Sequence, residues 1–170
     1  MDINHQKPIY VTLPGIEIYL TMGFLSGIAD RPPNKHTHPC FEIVCLRKNK
    51  EVYFTVIPPL VEHFSKTTKD DGRLCSFLFS FTDDSSDDIC QIIRKLNKII
   101  EIKDTFDGIT RIEEIQKSLQ RKEFGSNDLV KAEFRLFFVK LAQVFYTDDK
   151  TEKNVPQTLD DERIALLENF

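Results

Sequence analysis

The sequence lacks any apolar run approaching the roughly 20 residues that a membrane-crossing helix needs. Its longest runs, such as Leu136-Phe137-Phe138-Val139 and Phe77-Leu78-Phe79, are far shorter, so no membrane partner is expected. Nor is a secretory leader expected: Met1-Asp2-Ile3-Asn4-His5-Gln6-Lys7-Pro8 has neither a basic start nor a continuous apolar stretch, and a cytoplasmic location is the expectation. The four cysteines, Cys40, Cys45, Cys75 and Cys90, contain no CxxC pair, and three of them sit among aliphatic and aromatic residues. They read as reduced core thiols, since a chain of 170 residues can build a core without disulfide staples. There is no basic excess either. With 23 Lys and Arg against 27 Asp and Glu the net charge is −4, and the sequence shows no basic stripe of the kind by which proteins grip nucleic-acid phosphates, so these residues are not expected to bind DNA or RNA. The six glycines form no phosphate-binding loop, and Ser80 and Ser126 lack the surroundings of a nucleophile elbow. Kinase and hydrolase chemistry are thereby set aside.

What is present begins with strands. Residues 16–22 alternate in polarity, residues 41–46 and 52–57 are rich in β-branched and aromatic side chains, and residues 74–81 repeat the pattern. Pro14-Gly15, Pro32-Pro33, Lys48-Asn49-Lys50 and Lys69-Asp70-Asp71-Gly72 punctuate them as turns. Four or five short strands spaced in this way predict a small antiparallel barrel or sandwich.

Helices follow. The acidic stretch Thr82 to Asp88 can cap a helix whose apolar positions are Ile89, Ile92, Ile93 and Leu96. Thr110 and Glu113 stand at capping-box spacing before a second helix, with Ile112, Ile115 and Leu119 on one face. A third is predicted from about Asp128 to Tyr146. Wound at ~100° per residue, it gathers Val130, Phe134, Phe137, Phe138, Leu141, Val144 and Phe145 into one broad arc. Leu129, Ala132, Leu136 and Val139 form a second, narrower arc, and charged residues separate the two. Such a helix is either enclosed within one domain or packed on the sheet by its Phe-rich arc, with the second arc offered to another copy of the chain. Residues 148–158 are polar and read as a linker. The amphipathic start at 159–170, with Ile164, Leu167 and Phe170 on one face, reads as the first helix of a further domain.

Three of the four histidines lie close together in sequence. His36, His38 and Glu42 all have even numbers and would share one face of an uninterrupted strand, although Pro39 breaks that geometry; His63 would join them through strand pairing. Neutral imidazoles with a carboxylate suit Zn, Fe, Mn or Ni, so His36, His38, Glu42 and His63 form one candidate divalent-metal set. No neighbouring Asp stands ready to orient an imidazole. The same groups could instead line a polar pocket that hydrogen-bonds a small molecule, with Phe41 and Tyr53 as aromatic walls. No catalytic residue is assigned and no cofactor is required on that reading.

The spacing His36-x-His38-x-x-x-Glu42 followed by Pro58-x-x-x-x-His63 resembles the two cupin motifs. The segment Asn34-Lys35-His36-Thr37-His38-Pro39-Cys40-Phe41-Glu42-Ile43 is similar to the N-terminal sensor domains of AraC-type bacterial transcription regulators. Residues 43–57 are few for the usual strand pair and Gly-rich turn, and Leu60 stands where the second motif has glycine. The resemblance implies an α+β chain: a cupin-like barrel over 1–82 holding a small-molecule effector, about three helices over 83–147 forming a homodimer, a linker, and DNA read only by a C-terminal helix-turn-helix domain absent from this chain. On this expectation the protein is not an enzyme. The alternative is a small metal-dependent cupin enzyme.

Overall fold

A computed structural model describes residues 9–20, 24, 35–64, 72–82, 87–121 and 123–152. Among the described residues there are eight strands: β1 (Ile9–Leu13), β2 (Ile16–Leu20), β3 (Lys35–His36), β4 (Phe41–Lys48), β5 (Glu51–Ile57), β6 (His63–Phe64), β7 (Arg73–Phe81) and β8 (Ile100–Lys103). The helices whose ranges are described are α1 (Asp88–Arg94), α2 (Gly108–Arg121) and α3 (Ser126–Glu152). Six strands form one antiparallel sheet in the order β1-β2-β7-β4-β5-β8, and β3 pairs with β6 as a separate two-stranded ribbon. The chain is therefore α+β as expected. The sheet is open, however, with β1 and β8 at its edges, where a closed barrel is one expectation of the resemblance.

Residues 43–57 hold a strand pair after all, because the turn between β4 and β5 needs only two residues. Lys48 pairs with Glu51, and Asn49 and Lys50 both take positive φ (49° and 70°), the geometry of a type I′ hairpin. Asn tolerates this conformation and Lys does not, at a cost of about 1–2 kcal/mol for an L-residue with a Cβ. Lys50→Gly is accordingly expected to raise the unfolding free energy by about 1 kcal/mol, read as a higher urea midpoint at unchanged slope. An unchanged or lower midpoint would contradict this turn geometry.

Strand alternation divides the sheet sharply. Leu13, Ile16, Ile18, Phe41, Ile43, Cys45, Phe54, Val56, Cys75, Phe77 and Phe79 all point to the helical side and are buried in one core. Onto this face α3 lays Val130, Phe134, Phe137, Phe138, Leu141 and Phe145, and aromatic contacts such as Phe79–Phe138 (4.9 Å) and Phe54–Phe137 (5.3 Å) fill the space between. The second arc of α3 remains uncovered: Leu129 is 57% exposed, Leu136 37%, Ala132 is exposed and Val139 half-buried. All four cysteines are free, and Cys45 faces Cys75 across β4 and β7. The hydrogen bond that the Cys45 thiol donates to Cys75 and burial together hold this thiol far above its ordinary pKa, which keeps it protonated and inert.

Helix starts show where local sequence competes with structure. Asp87 caps α1 by accepting from the Ile89 N–H at 3.0 Å and also receives a hydrogen bond from Arg135 of α3. Helix α2 begins at Gly108, two residues before Thr110. Its cap is Asp104, whose carboxylate accepts from Gly108 N (2.8 Å) and Ile109 N (2.9 Å). Gly108 is required there, since a Cβ would lie 2.6 Å from the Phe54 ring. Helix α3 runs five residues beyond 147 into the expected linker. The remainder of that linker, the closing 159–170 helix and the acidic residues 83–86 lie outside the described residues. Among the described residues no helix is long and apolar enough to cross a membrane.

Burial works to raise the Asp87 pKa, but the Arg135 hydrogen bond and the Ile89 N–H outweigh it and hold the carboxyl below its ordinary value. A depressed carboxylate pKa contributes stability above the unfolded value near ~3.9, and that contribution disappears as pH falls through the folded value. Asp87→Asn is expected to cost about 1–2 kcal/mol at pH 7. The gap between wild type and variant should shrink below pH ~4, as read from denaturant melts at several pH values. A gap independent of pH would show that the charge on Asp87 is not what ties α1 to α3.

Candidate functional site

The face of the sheet opposite the helices carries the polar cluster. Phe41 and Glu42 are consecutive on β4, so they point to opposite sides. Phe41 goes to the core, stacked on Phe79 at 5.0 Å. Glu42 goes to the other face, between its cross-strand partners Ile57 and Leu78. The β3–β6 ribbon places His36 directly opposite His63 and brings both imidazoles to this carboxylate. The strand is broken at Pro39, so His38 lies on the link between β3 and β4 and not on a continuous strand with Glu42.

Backbone hydrogen bonds fix this link. Leu60 N donates to the His38 carbonyl at 2.7 Å, and Val61 N donates to the Pro58 carbonyl at 3.4 Å. Pro58-Pro59-Leu60-Val61 is thus a type II turn, with proline at its second position and a positive φ of 63° at Leu60. Leucine here adopts a left-handed conformation that glycine would take without a steric cost. The turn aims His63 inward, 5% exposed at the side chain, against Glu42 at 10% and His38 at 20%.

The resulting geometry is tight. His38 Nε2 lies 3.1 Å from Glu42 Oε2 and 3.1 Å from His63 Nε2, and His63 Nε2 lies 3.1 Å from the same Glu42 oxygen. The His36 ring stands 4.3 Å from that of His63 and 4.7 Å from that of His38, centroid to centroid, and the four residues bring one donor atom each within 4.8 Å of one another. His63 Nδ1 lies 3.0 Å from the Val61 carbonyl. A carbonyl can only accept, so the Nδ1 proton is directed there and the His63 ring is held in orientation. The partner that orients this imidazole is therefore a backbone oxygen and not an acidic side chain.

All four of the predicted polar residues, His36, His38, Glu42 and His63, come together. The two predicted aromatic walls do not. Phe41 is on the core side for the reason given above. Tyr53 shares the face of Glu42 but sits four residues before Ile57 along β5, about 13 Å away at ~3.3 Å per residue, with its hydroxyl donated to Glu51 at 2.8 Å. Cys40, expected as a core thiol, is only partly buried; burial and the Glu42 charge both raise its thiol pKa. Chemically, two imidazole nitrogens and a carboxylate oxygen directed at one point, with a third imidazole alongside, can hydrogen-bond a small polar molecule or hold a divalent ion.

A groove of about 470 Å³ lies elsewhere, on the helical side between α1 and α3, lined by Ile89, Ile92, Val139, Ala142 and Tyr146 among others. It contains none of the cluster residues and adjoins the uncovered arc of α3. Comparison of the chain with protein-family models, with curated proteins and with solved structures finds no match.

Proposed function

We propose that this chain is the effector-sensing and self-associating part of a regulator of the AraC type, in which DNA is read by a separate C-terminal helix-turn-helix domain. One observation carries the proposal: a polar cluster and an uncovered apolar helix face lie on opposite sides of a single sheet and are linked through packed side chains. Glu42 is adjacent in β4 to Phe41, Phe41 stacks on Phe79, and Phe79 contacts Phe138 of α3 at 4.9 Å. A small molecule bound at the cluster would bias the position of β4, and with it the arc formed by Leu129, Ala132, Leu136 and Val139, where a second copy would pack. Such a ligand acts only through a difference in affinity between two arrangements of the same elements.

The test is the mass of the purified chain in solution. Light scattering over a concentration series is expected to show a dimer at micromolar concentrations. A monomer throughout the series rejects this reading. A second reading, a small metal-dependent enzyme of the cupin kind acting in the cytoplasm, is favoured by the three mutual 3.1 Å separations of its donors. It predicts turnover that is lost with His38→Ala.

A further inference from the structure

The groove between α1 and α3 is an apolar surface that the described chain leaves open. Ala142 is buried in it, Ile89, Ile92 and Val139 are half-buried, and Tyr146 is 50% exposed. At ~30 Å³ per molecule its volume of about 470 Å³ corresponds to roughly 16 waters, which these hydrocarbon walls cannot hydrogen-bond. Release of that water favours an apolar occupant.

The chain itself carries a segment of matching shape. Wound as a helix, residues 160–170 bring Ile164, Leu167 and Phe170 to one face. From Ile164 to Phe170 the rise is ~9 Å, and along α3 from Val139 to Tyr146 it is ~10 Å, so the apolar face and the groove have the same length. The connection is long enough. Helix α3 ends at Glu152, ~9 Å past Tyr146, and residues 153–159 can span up to ~23 Å. Returning to the level of Tyr146 on a helix axis ~10 Å away needs only ~13 Å. A segment that turns back in this way runs antiparallel to α3 and enters the groove at its Tyr146 end.

The charges agree with that direction. The segment starts with Asp160-Asp161-Glu162. On the groove, Arg135 ties Asp87 at the start of α1, and Lys95, at the other end of that helix, is exposed on the rim. Such a surface attraction contributes little energy but selects one orientation over its reverse. Eleven residues are too few for a stable helix alone in water, so the segment needs a surface to fold on. Its own chain supplies that surface most readily: a seven-residue link presents the segment at an effective concentration of the order of millimolar, well above that of any second copy.

We propose that residues 160–170 fold back as a helix into the groove between α1 and α3 of their own chain, with Ile164 beside Tyr146 and Phe170 toward Val139. Val139 belongs both to this groove and to the uncovered arc of α3, so the docked segment borders the face offered to a second copy. The proposal stands independently of any role of the histidine cluster.

Amide hydrogen exchange of the purified chain, followed by mass spectrometry, tests it. Residues 163–170 are expected to exchange about tenfold or more slowly than in a synthetic peptide spanning 153–170, and equally so at low and high chain concentration. Leu167→Asp in the segment and Tyr146→Asp in the groove, a half-exposed position, should each return exchange to the peptide rate while the chain still melts cooperatively. Tyr146→Phe should keep the protection. Exchange at the peptide rate in the wild type overturns the proposal. Protection that survives either Asp variant also overturns it, since the segment would then be held elsewhere. Protection that grows with chain concentration assigns the groove to a second copy and overturns docking within the chain.

Discussion

Replacing Phe137 with alanine is expected to lower the unfolding free energy by about 4 kcal/mol, a large part of the total for a chain of this size. Phe137 is fully buried, and its ring is within 6 Å of four others: Phe54 at 5.3 Å, Phe77 at 5.9 Å, Phe106 at 5.8 Å and Phe138 at 5.6 Å. These rings come from β5, β7, the segment before α2, and α3 itself. A cavity at this point removes contacts that no single neighbour can restore by moving. Urea unfolding followed by circular dichroism would measure the loss. A cost under about 1.5 kcal/mol would mean that α3 does not seat its Phe-rich arc on the sheet.

The second large effect is expected at Leu136→Glu. Leu136 is 37% exposed at the centre of the uncovered arc, so a carboxylate is hydrated in the isolated chain and the fold should tolerate it. In a two-fold contact each copy contributes the substitution, and two like charges meet in a desolvated interface. Dimer dissociation should therefore rise by at least about 100-fold, equivalent to ~3 kcal/mol, at nearly unchanged melting temperature of the monomer. Sedimentation over a concentration series would show it. An undiminished dimer would place self-association on another surface, with the groove beside Tyr146 the first to probe.

Much of this architecture is written locally in the sequence. The strands around Ile18, Ile43, Phe54 and Phe77 follow from β-branched and aromatic alternation, and the two arcs of α3 from helical spacing over about five turns. The acidic start of α1 is equally plain, because Asp87 both caps the helix and precedes its apolar positions. Other features depend on partners distant in the chain. Strand β8 is four residues long and becomes a strand only because Phe54 and Val56 of β5 present an edge to Ile102 and Ile100. The start of α2 is set by Asp104 reaching forward to Gly108 and Ile109, which takes precedence over the nearer capping-box pattern of Thr110 and Glu113.

The candidate site divides in the same way. His36, His38, Glu42 and His63 are recoverable from residue type and spacing. Phe41 is adjacent to Glu42 in sequence, but a single step along a strand reverses its face. Tyr53 has the right face and the wrong end of its strand. The Val61 carbonyl that orients His63 leaves no mark in the sequence, since every residue carries one. Openness of the sheet is a property of which edges pair, and local patterns do not encode it.

The central claim is that His38, Glu42 and His63 form one binding centre, with His36 beside them. Long-range ¹H–¹⁵N correlation spectra of the imidazoles during a Zn²⁺ titration test it most directly, because the chain has only four histidines. The expected result is that the Nε2 resonances of His38 and His63 shift together and saturate at one equivalent. Nδ1 of His63 should remain protonated toward Val61 throughout. Imidazoles that titrate independently of one another, or that do not respond to the metal, would contradict the account.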